Sequence, residues 1–196
     1  MDQLDIKISI GKGGAFFIEP IDGGRLMIKS ITKPEFEIIK SFLPDYYSYI
    51  LMNPNSCLSP ILGVFKLKTA ESDSVPPICF ILMRNVLDLD PTRLNPEDKV
   101  LLFDLKGSVQ GRQTLEDPNL LLNIPLNYEK HLKNKCLKDI DFFKSIQKLD
   151  ITKIQSEKII SQLIADSNFL AKNNFMDYSL LVFVVIKPFF TVKPAI

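Results

Sequence analysis

Arg25-Leu26-Met27-Ile28-Lys29, followed after Ser30 and Ile31 by Thr32-Lys33-Pro34-Glu35, joins two kinds of structure within a few residues. The first stretch is a short apolar run between two basic residues and reads as a strand. The second has threonine at a helix cap, proline in the first turn and glutamate three residues after the threonine, which predicts a capping box and a helix start. A strand that feeds a helix this directly points to an α+β fold. Toward the N-terminus, Asp22-Gly23-Gly24 is a turn signal, and Phe16 to Glu19 and Ile6 to Ile10 read as strands flanking Gly11-Lys12-Gly13-Gly14. Toward the C-terminus, Phe36, Ile39 and Leu43 give the helix an apolar face, and Pro44 is expected to stop it. Asp45 would cap a second short helix running toward Asn53-Pro54.

Further along, Ile61 to Leu67, Ile78 to Met83 and Val100 to Leu105 are strand candidates, the first two separated by a loop containing Pro76-Pro77. Gly107 to about Lys138 is polar and reads as irregular, and Asp139 to Leu149 as a short helix. Thr152 to Lys172 carries the clearest helical pattern, with Ile159, Ile160, Leu163, Ile164 and Leu170 on one face. Asn173-Asn174 ends it, and Met176-Asp177-Tyr178-Ser179 turns into the apolar strand Leu180 to Ile186. The expected order is a β-rich first lobe, a link near Met83 to Leu87 and a mixed second lobe, with a small ligand bound between them.

The 196 residues suffice for one domain with a core, and a hydrophobic fraction of 46% with 24% charged residues is that of a globular protein. With a net charge of +1, nothing calls for nucleic acid as partner. The longest apolar run is far shorter than the ~20 residues that span a bilayer, and the acidic start Met1-Asp2-Gln3-Leu4-Asp5 lacks the pattern of a signal peptide. Cys57, Cys79 and Cys136 fit neither a disulfide framework nor a zinc site. A cytoplasmic location is expected, with any membrane contact peripheral.

Four places carry candidate chemistry. Gly11-Lys12-Gly13-Gly14 lets backbone N–H groups approach an anion, and Lys29 on a following strand supplies a positive charge for a phosphate; equally, the pair reads as a hairpin turn and a surface lysine. Glu35 either orients Lys29 or satisfies the helix start. Asp104-Leu105-Lys106-Gly107-Ser108, with Arg112 beyond, ends a strand where ligand contacts gather, or forms a turn with solvated charges. Asp177 is placed between a helix and a strand, as a rigid general base or as a turn residue. His131, the single histidine, sits among Lys130, Lys133, Lys135 and Lys138, which read as a solvated basic face that could also meet a lipid head group.

In order, these pieces resemble the phosphatidylinositol phosphate kinases. Gly11-Lys12-Gly13-Gly14-Ala15-Phe16-Phe17 resembles that family's Gly-Lys-Ser-Gly-Ser-Phe-Phe loop, and Met27-Ile28-Lys29-Ser30 its Ile-Lys-Thr strand. Phe103-Asp104-Leu105-Lys106-Gly107-Ser108, Leu137-Lys138-Asp139-Ile140-Asp141-Phe142 and Met176-Asp177-Tyr178-Ser179-Leu180-Leu181 follow as in the family. The resemblance implies a two-lobed lipid-kinase fold, with an antiparallel-sheet lobe over about 1–85 and a mixed lobe over about 86–196. It implies transfer of phosphate from ATP, with Mg²⁺, to the inositol ring of a phosphatidylinositol phosphate at a membrane surface. Phosphatidylinositol 4-phosphate, giving the 4,5-bisphosphate, is the expected substrate.

By the same resemblance Asp177 and Lys106 would be catalytic. Gly11, Gly13, Gly14, Phe16, Lys29, Glu35, Met83 and Asn85 would bind ATP, and Arg112 with Lys106 would meet the lipid phosphate. No metal ligand is identified, because the family's Ile-Ile-Asp segment and activation loop have no counterpart here, and Gly13 and Arg84 stand where the family has serine and asparagine. The alternative is an inactive fragment, or a module of the same fold that binds phosphoinositide or ATP. A protein-kinase-like enzyme is disfavoured by the lack of His-Arg-Asp and Asp-Phe-Gly.

Overall fold

The computed structural model describes residues 6–10, 16–20, 25–68, 77–86, 94–146 and 149–187. The chain forms two compact units, Met1–Asp90 with Glu157–Asn173, and Pro91–Ser156 with Asn174–Ile196. Most of the long C-terminal helix goes with the first unit.

The first unit is built on a fully antiparallel sheet of five strands in the order β1-β2-β3-β5-β4. Its strands are β1 (Ile6–Ile10), β2 (Phe16–Pro20), β3 (Leu26–Ile31), β4 (Ile61–Leu67) and β5 (Ile78–Arg84). Thr32 caps α1 (Lys33–Met52) through the expected capping box: its backbone N–H and hydroxyl donate to Glu35 Oε2 at 2.7 and 2.8 Å.

Pro44 does not stop α1, and no second helix begins at Asp45; the helix runs through as one 20-residue element. An interior proline costs about 3 kcal/mol. Phe42 and Tyr46, on either side of it, are both buried, and each buried aromatic returns roughly 1.5–3 kcal/mol. Tyr46 Oη also donates to the Ser59 carbonyl at 2.9 Å and accepts from the Ile61 N–H at 3.0 Å, tying the middle of α1 to the start of β4.

Helix α4 (Lys153–Lys172) forms where its periodicity predicts, but its isoleucine face is open: Ile159, Ile160 and Ile164 are all exposed. Within the first unit the helix packs instead through Phe169, which stacks on Tyr49 at 4.0 Å between centroids and meets Phe42 at 5.4 Å. Its buried residue is Asp166, whose carboxylate accepts from Tyr49 Oη (2.7 Å), Ser56 Oγ (2.8 Å), the Cys57 N–H (2.7 Å) and Gln162 Nε2 (2.9 Å). Four donors converging on one anion make its burial tolerable.

The second unit holds a mixed sheet ordered β7-β6-β8, with β6 (Lys99–Leu105) parallel to β7 (Cys136–Leu137) and antiparallel to β8 (Leu180–Ile186). The stretch expected to be irregular contains a 3-10 turn at Pro118–Leu121, α2 (Ile124–Asn127), a π turn at Tyr128–Leu132 and β7. These short pieces are held by the core rather than by propensity. Leu121, Ile124, Leu132 and Leu137 join Leu101, Phe103 and Leu115 in one buried cluster. α3 (Asp139–Ser145) follows, and Phe142 meets Phe103 edge-on at 5.1 Å.

Candidate active site

Strand register builds the site in the second unit. Asp104 lies opposite Leu181 and Leu105 opposite Leu180, so the residues leaving β6 and those entering β8 share one end of the sheet. Lys106, the first residue after β6, therefore meets Asp177, three residues before β8: its Nζ contacts Asp177 Oδ1 as a hydrogen-bonded ion pair. The lysine side chain is 25% exposed and the carboxylate 82%, so the pair opens to solvent. Asp177 has φ of +59°, the left-handed region that an aspartate tolerates better than most residues.

The loop carrying Lys106 is anchored from below. Asp139, at the start of α3, accepts from the N–H groups of Lys106 (3.0 Å) and Gly107 (2.8 Å) through Oδ1, and from Arg112 Nε (2.8 Å) through Oδ2. Asp141 accepts from the N–H groups of Thr114 (2.8 Å), Leu115 (3.3 Å) and Lys138 (3.0 Å). Two carboxylates on one short helix thus hold both sides of the 106–115 segment. Gly107 and Gly111, at φ of +70° and +65°, give that segment the left-handed turns it needs. Asp139 is buried; burial alone would raise its pKa, but Arg112 and the two backbone donors outweigh that and hold its carboxyl below the usual range.

Arg112 is 7% exposed. Besides Asp139, it donates through Nη2 to the Asp104 carbonyl, and that nitrogen lies 3.4 Å from Asp104 Oδ1. The hydrogen bond it donates to Asp139 is the main reason its pKa rises above the ordinary value. Arg112, expected to meet the lipid phosphate, is buried and braces the end of β6 against α3. Contact with a ligand would require it to leave these partners.

In the first unit, Lys29 sits on β3 opposite Phe17, with its ammonium 5.8 Å from the centre of that ring. Glu35 serves the helix start: Thr32 accounts for most of the lowering of its pKa, and Lys29 adds a smaller Coulombic part. Of its two readings, the cap is the one the geometry realises. The Phe16 N–H donates to Ser30 Oγ at 2.8 Å. Met83 lies near the end of β5, opposite Met27, and Asn85 is buried with its N–H donating to the Arg25 carbonyl at 2.8 Å. Gly11, Gly13 and Gly14 lie outside the described residues.

The structure thus brings Lys106 and Asp177 together, places Arg112 behind them, and holds Lys29 and Glu35 near each other on β3 and α1. Sequence reasoning missed Asp139 and Asp141 as the residues that position Lys106, although it quoted the block containing them. Two acids, Asp139 and Asp141, in the first turn of one short helix were the available signal. Among the described residues, no three His, Cys, Asp or Glu side chains gather as a metal site. Asp139 and Asp141 are taken up by Arg112 and backbone donors. A resident Mg²⁺ does not fit these residues. Nor is any described helix long and apolar enough to cross a membrane.

The family model described as Phosphatidylinositol-4-phosphate 5-Kinase matches residues 1–189. A protein of Dictyostelium discoideum named as a probable phosphatidylinositol phosphate kinase is 33% identical over 88% of this chain and 21% of its own length. A phosphatidylinositol 4-phosphate 5-kinase of Schizosaccharomyces pombe is 31% identical over 93% of this chain and 21% of its own. A phosphatidylinositol 5-phosphate 4-kinase type-2 gamma of Danio rerio is 31% identical over 80% and 33%. The chain therefore spans between a fifth and a third of the length of these relatives. Because the family model matches residues 1–189 of the 196 in this chain, the chain belongs to the phosphatidylinositol-4-phosphate 5-kinase family.

Proposed function

We propose that the protein transfers the terminal phosphoryl group of ATP to a ring hydroxyl of a phosphatidylinositol phosphate, working at the cytoplasmic surface of a membrane. Phosphatidylinositol 4-phosphate is the acceptor and the 4,5-bisphosphate the product. Family membership and the named 5-kinase relative support this reading; the 4-kinase relative makes the position of transfer the finer part of it.

The observation that carries the proposal is the contact between Lys106 and Asp177 at the shared end of β6 and β8. Phosphoryl transfer asks for positioning and charge compensation more than for covalent help. Asp177 takes the proton of the attacking hydroxyl, whose oxygen bonds to the phosphorus as the bond to ADP breaks. Lys106 holds the carboxylate in place and offers its ammonium to the phosphate oxygens, on a loop fixed by Asp139 and Arg112. Lys29 holds the phosphates of ATP together with Gly11, Gly13, Gly14 and Phe16, and Met83 and Asn85 pass the adenine. Mg²⁺ arrives as part of the nucleotide substrate, and no step is assigned to it on the protein.

Incubation with γ-³²P-labelled ATP, Mg²⁺ and vesicles holding either phosphatidylinositol 4-phosphate or the 5-phosphate, with the product identified, tests this. Labelled 4,5-bisphosphate formed from the 4-phosphate alone supports the reading in full. Binding of either lipid by folded protein without transfer would replace it with a phosphoinositide-binding module of the same fold.

A further inference from the structure

The lysines around His131 are left unused by this reading, and the structure gives them a definite surface. From Ile124 through Leu132 the chain is continuously helical, α2 running into the π turn. Ile124 and Leu132 are buried and Tyr128 between them is half-buried, so these residues mark the inner face. On the outer side Leu126 is 83% exposed, and Leu122, just before the helical run, is 73% exposed. Lys130, Lys133 and Lys135 are exposed as well. From Leu122 to Lys138 there are four lysines against one glutamate. That glutamate, Glu129, is held by Lys99 at 3.0 Å and Lys133 at 3.1 Å, and the two lysines keep its pKa below the usual carboxylate range.

We infer that this outer face, Leu122, Leu126, Lys130, Lys133 and Lys135, docks the second unit onto an anionic lipid bilayer. The composition selects the partner. Protein interfaces are poor in lysine and rich in aromatic residues and arginine; from Leu122 to Lys138 there is no arginine, and the one aromatic residue, Tyr128, is turned inward under Lys99, whose ammonium is 5.1 Å from its ring. Exposed leucines beside long, mobile lysines are instead the pattern of an interfacial helix, with its apolar tips among the acyl chains and its ammonium groups among the head groups. Lysines of this kind gain attraction only where the lipids are anionic, and lose it as salt rises. The inference draws its purpose from the lipid-kinase reading, since the face lies on the unit that holds Lys106 and Asp177.

The test is co-sedimentation of the whole protein with phosphatidylcholine vesicles, with and without phosphatidylserine, at low and high salt. The wild type sediments with the phosphatidylserine vesicles and is released by salt. Lys130→Ala with Lys135→Ala weakens partitioning about 25-fold, at about fivefold per lysine. Leu126→Ser weakens it several-fold, and that loss persists in high salt. All three positions are exposed, so unchanged urea midpoints verify the fold. Equal sedimentation of wild type and variants, or equal binding to neutral vesicles, would overturn the docking face. Transfer to a water-soluble short-chain phosphatidylinositol 4-phosphate separates the two claims. It is unchanged in the variants if only docking is lost, and absent from every protein, wild type included, if the kinase reading is the one at fault.

Discussion

Replacing Asp139 with alanine removes one carboxylate and leaves three donors without an acceptor: the N–H groups of Lys106 and Gly107, and Arg112 Nε. Hydrogen bonds to a charged group contribute about 1.5–3 kcal/mol each, and removing one partner of a buried ion pair costs about 3–5 kcal/mol. These overlap, because Arg112 keeps its contacts with Asp104. About 4 kcal/mol is therefore expected for Asp139→Ala. Asp139→Asn keeps one acceptor oxygen, which can serve the backbone pair or the guanidinium but not both, and should lose about 2 kcal/mol. Urea denaturation followed by circular dichroism reads both values from shifted midpoints at constant slope. The effect also has a pH signature. The folded-state pKa of Asp139 is depressed, so its stabilisation is complete above the unfolded value of about 3.9 and is lost as pH falls through the folded value. The gap between wild type and Asp139→Ala should be widest near neutrality and close in acid. A loss below 1 kcal/mol at pH 7, or a gap that does not change with pH, would refute the clamp.

The other expectations concern the first unit. Asp166→Ala strands Tyr49, Ser56, the Cys57 N–H and Gln162, and should cost about 4 kcal/mol in the same urea assay. Tyr49, whose pKa burial and the Asp166 carboxylate push up to about 12, should remain un-ionised at pH 11 in an ultraviolet titration, and Tyr49→Phe should remove that late step. Pro44→Ala restores a helix hydrogen bond at an exposed site within α1. It should raise stability by roughly 2 kcal/mol, the helix penalty of proline less its restriction of the unfolded chain.

What could be read from the sequence was what local pattern controls. β4, β6 and β8 are β-branched or leucine-rich runs and form within a residue of their expected bounds, and the capping box starts α1 at Lys33. Pro44 misled because the penalty is local while its compensation, the burial of Phe42 and Tyr46, is tertiary. The same holds for the turns between Pro118 and Leu132, each too short to announce itself. In the candidate site, Lys106 and Asp177 were named through a resemblance, but their contact spans 71 residues and depends on the register of β6 and β8. Asp139 reaches partners 27 to 33 residues away and Asp166 reaches partners up to 117 away. For Asp166, which has no second acid beside it, nothing in the spacing signals such a role.

If Lys106 and Asp177 form the chemical centre, Asp177→Asn loses phosphoryl transfer while keeping the fold. Asp177 is exposed, so the variant should keep the wild-type urea midpoint. Removing a general base lowers the rate of ³²P transfer to phosphatidylinositol 4-phosphate by about 10²–10⁴-fold. Transfer at the wild-type rate by folded Asp177→Asn would place the chemistry elsewhere in the protein.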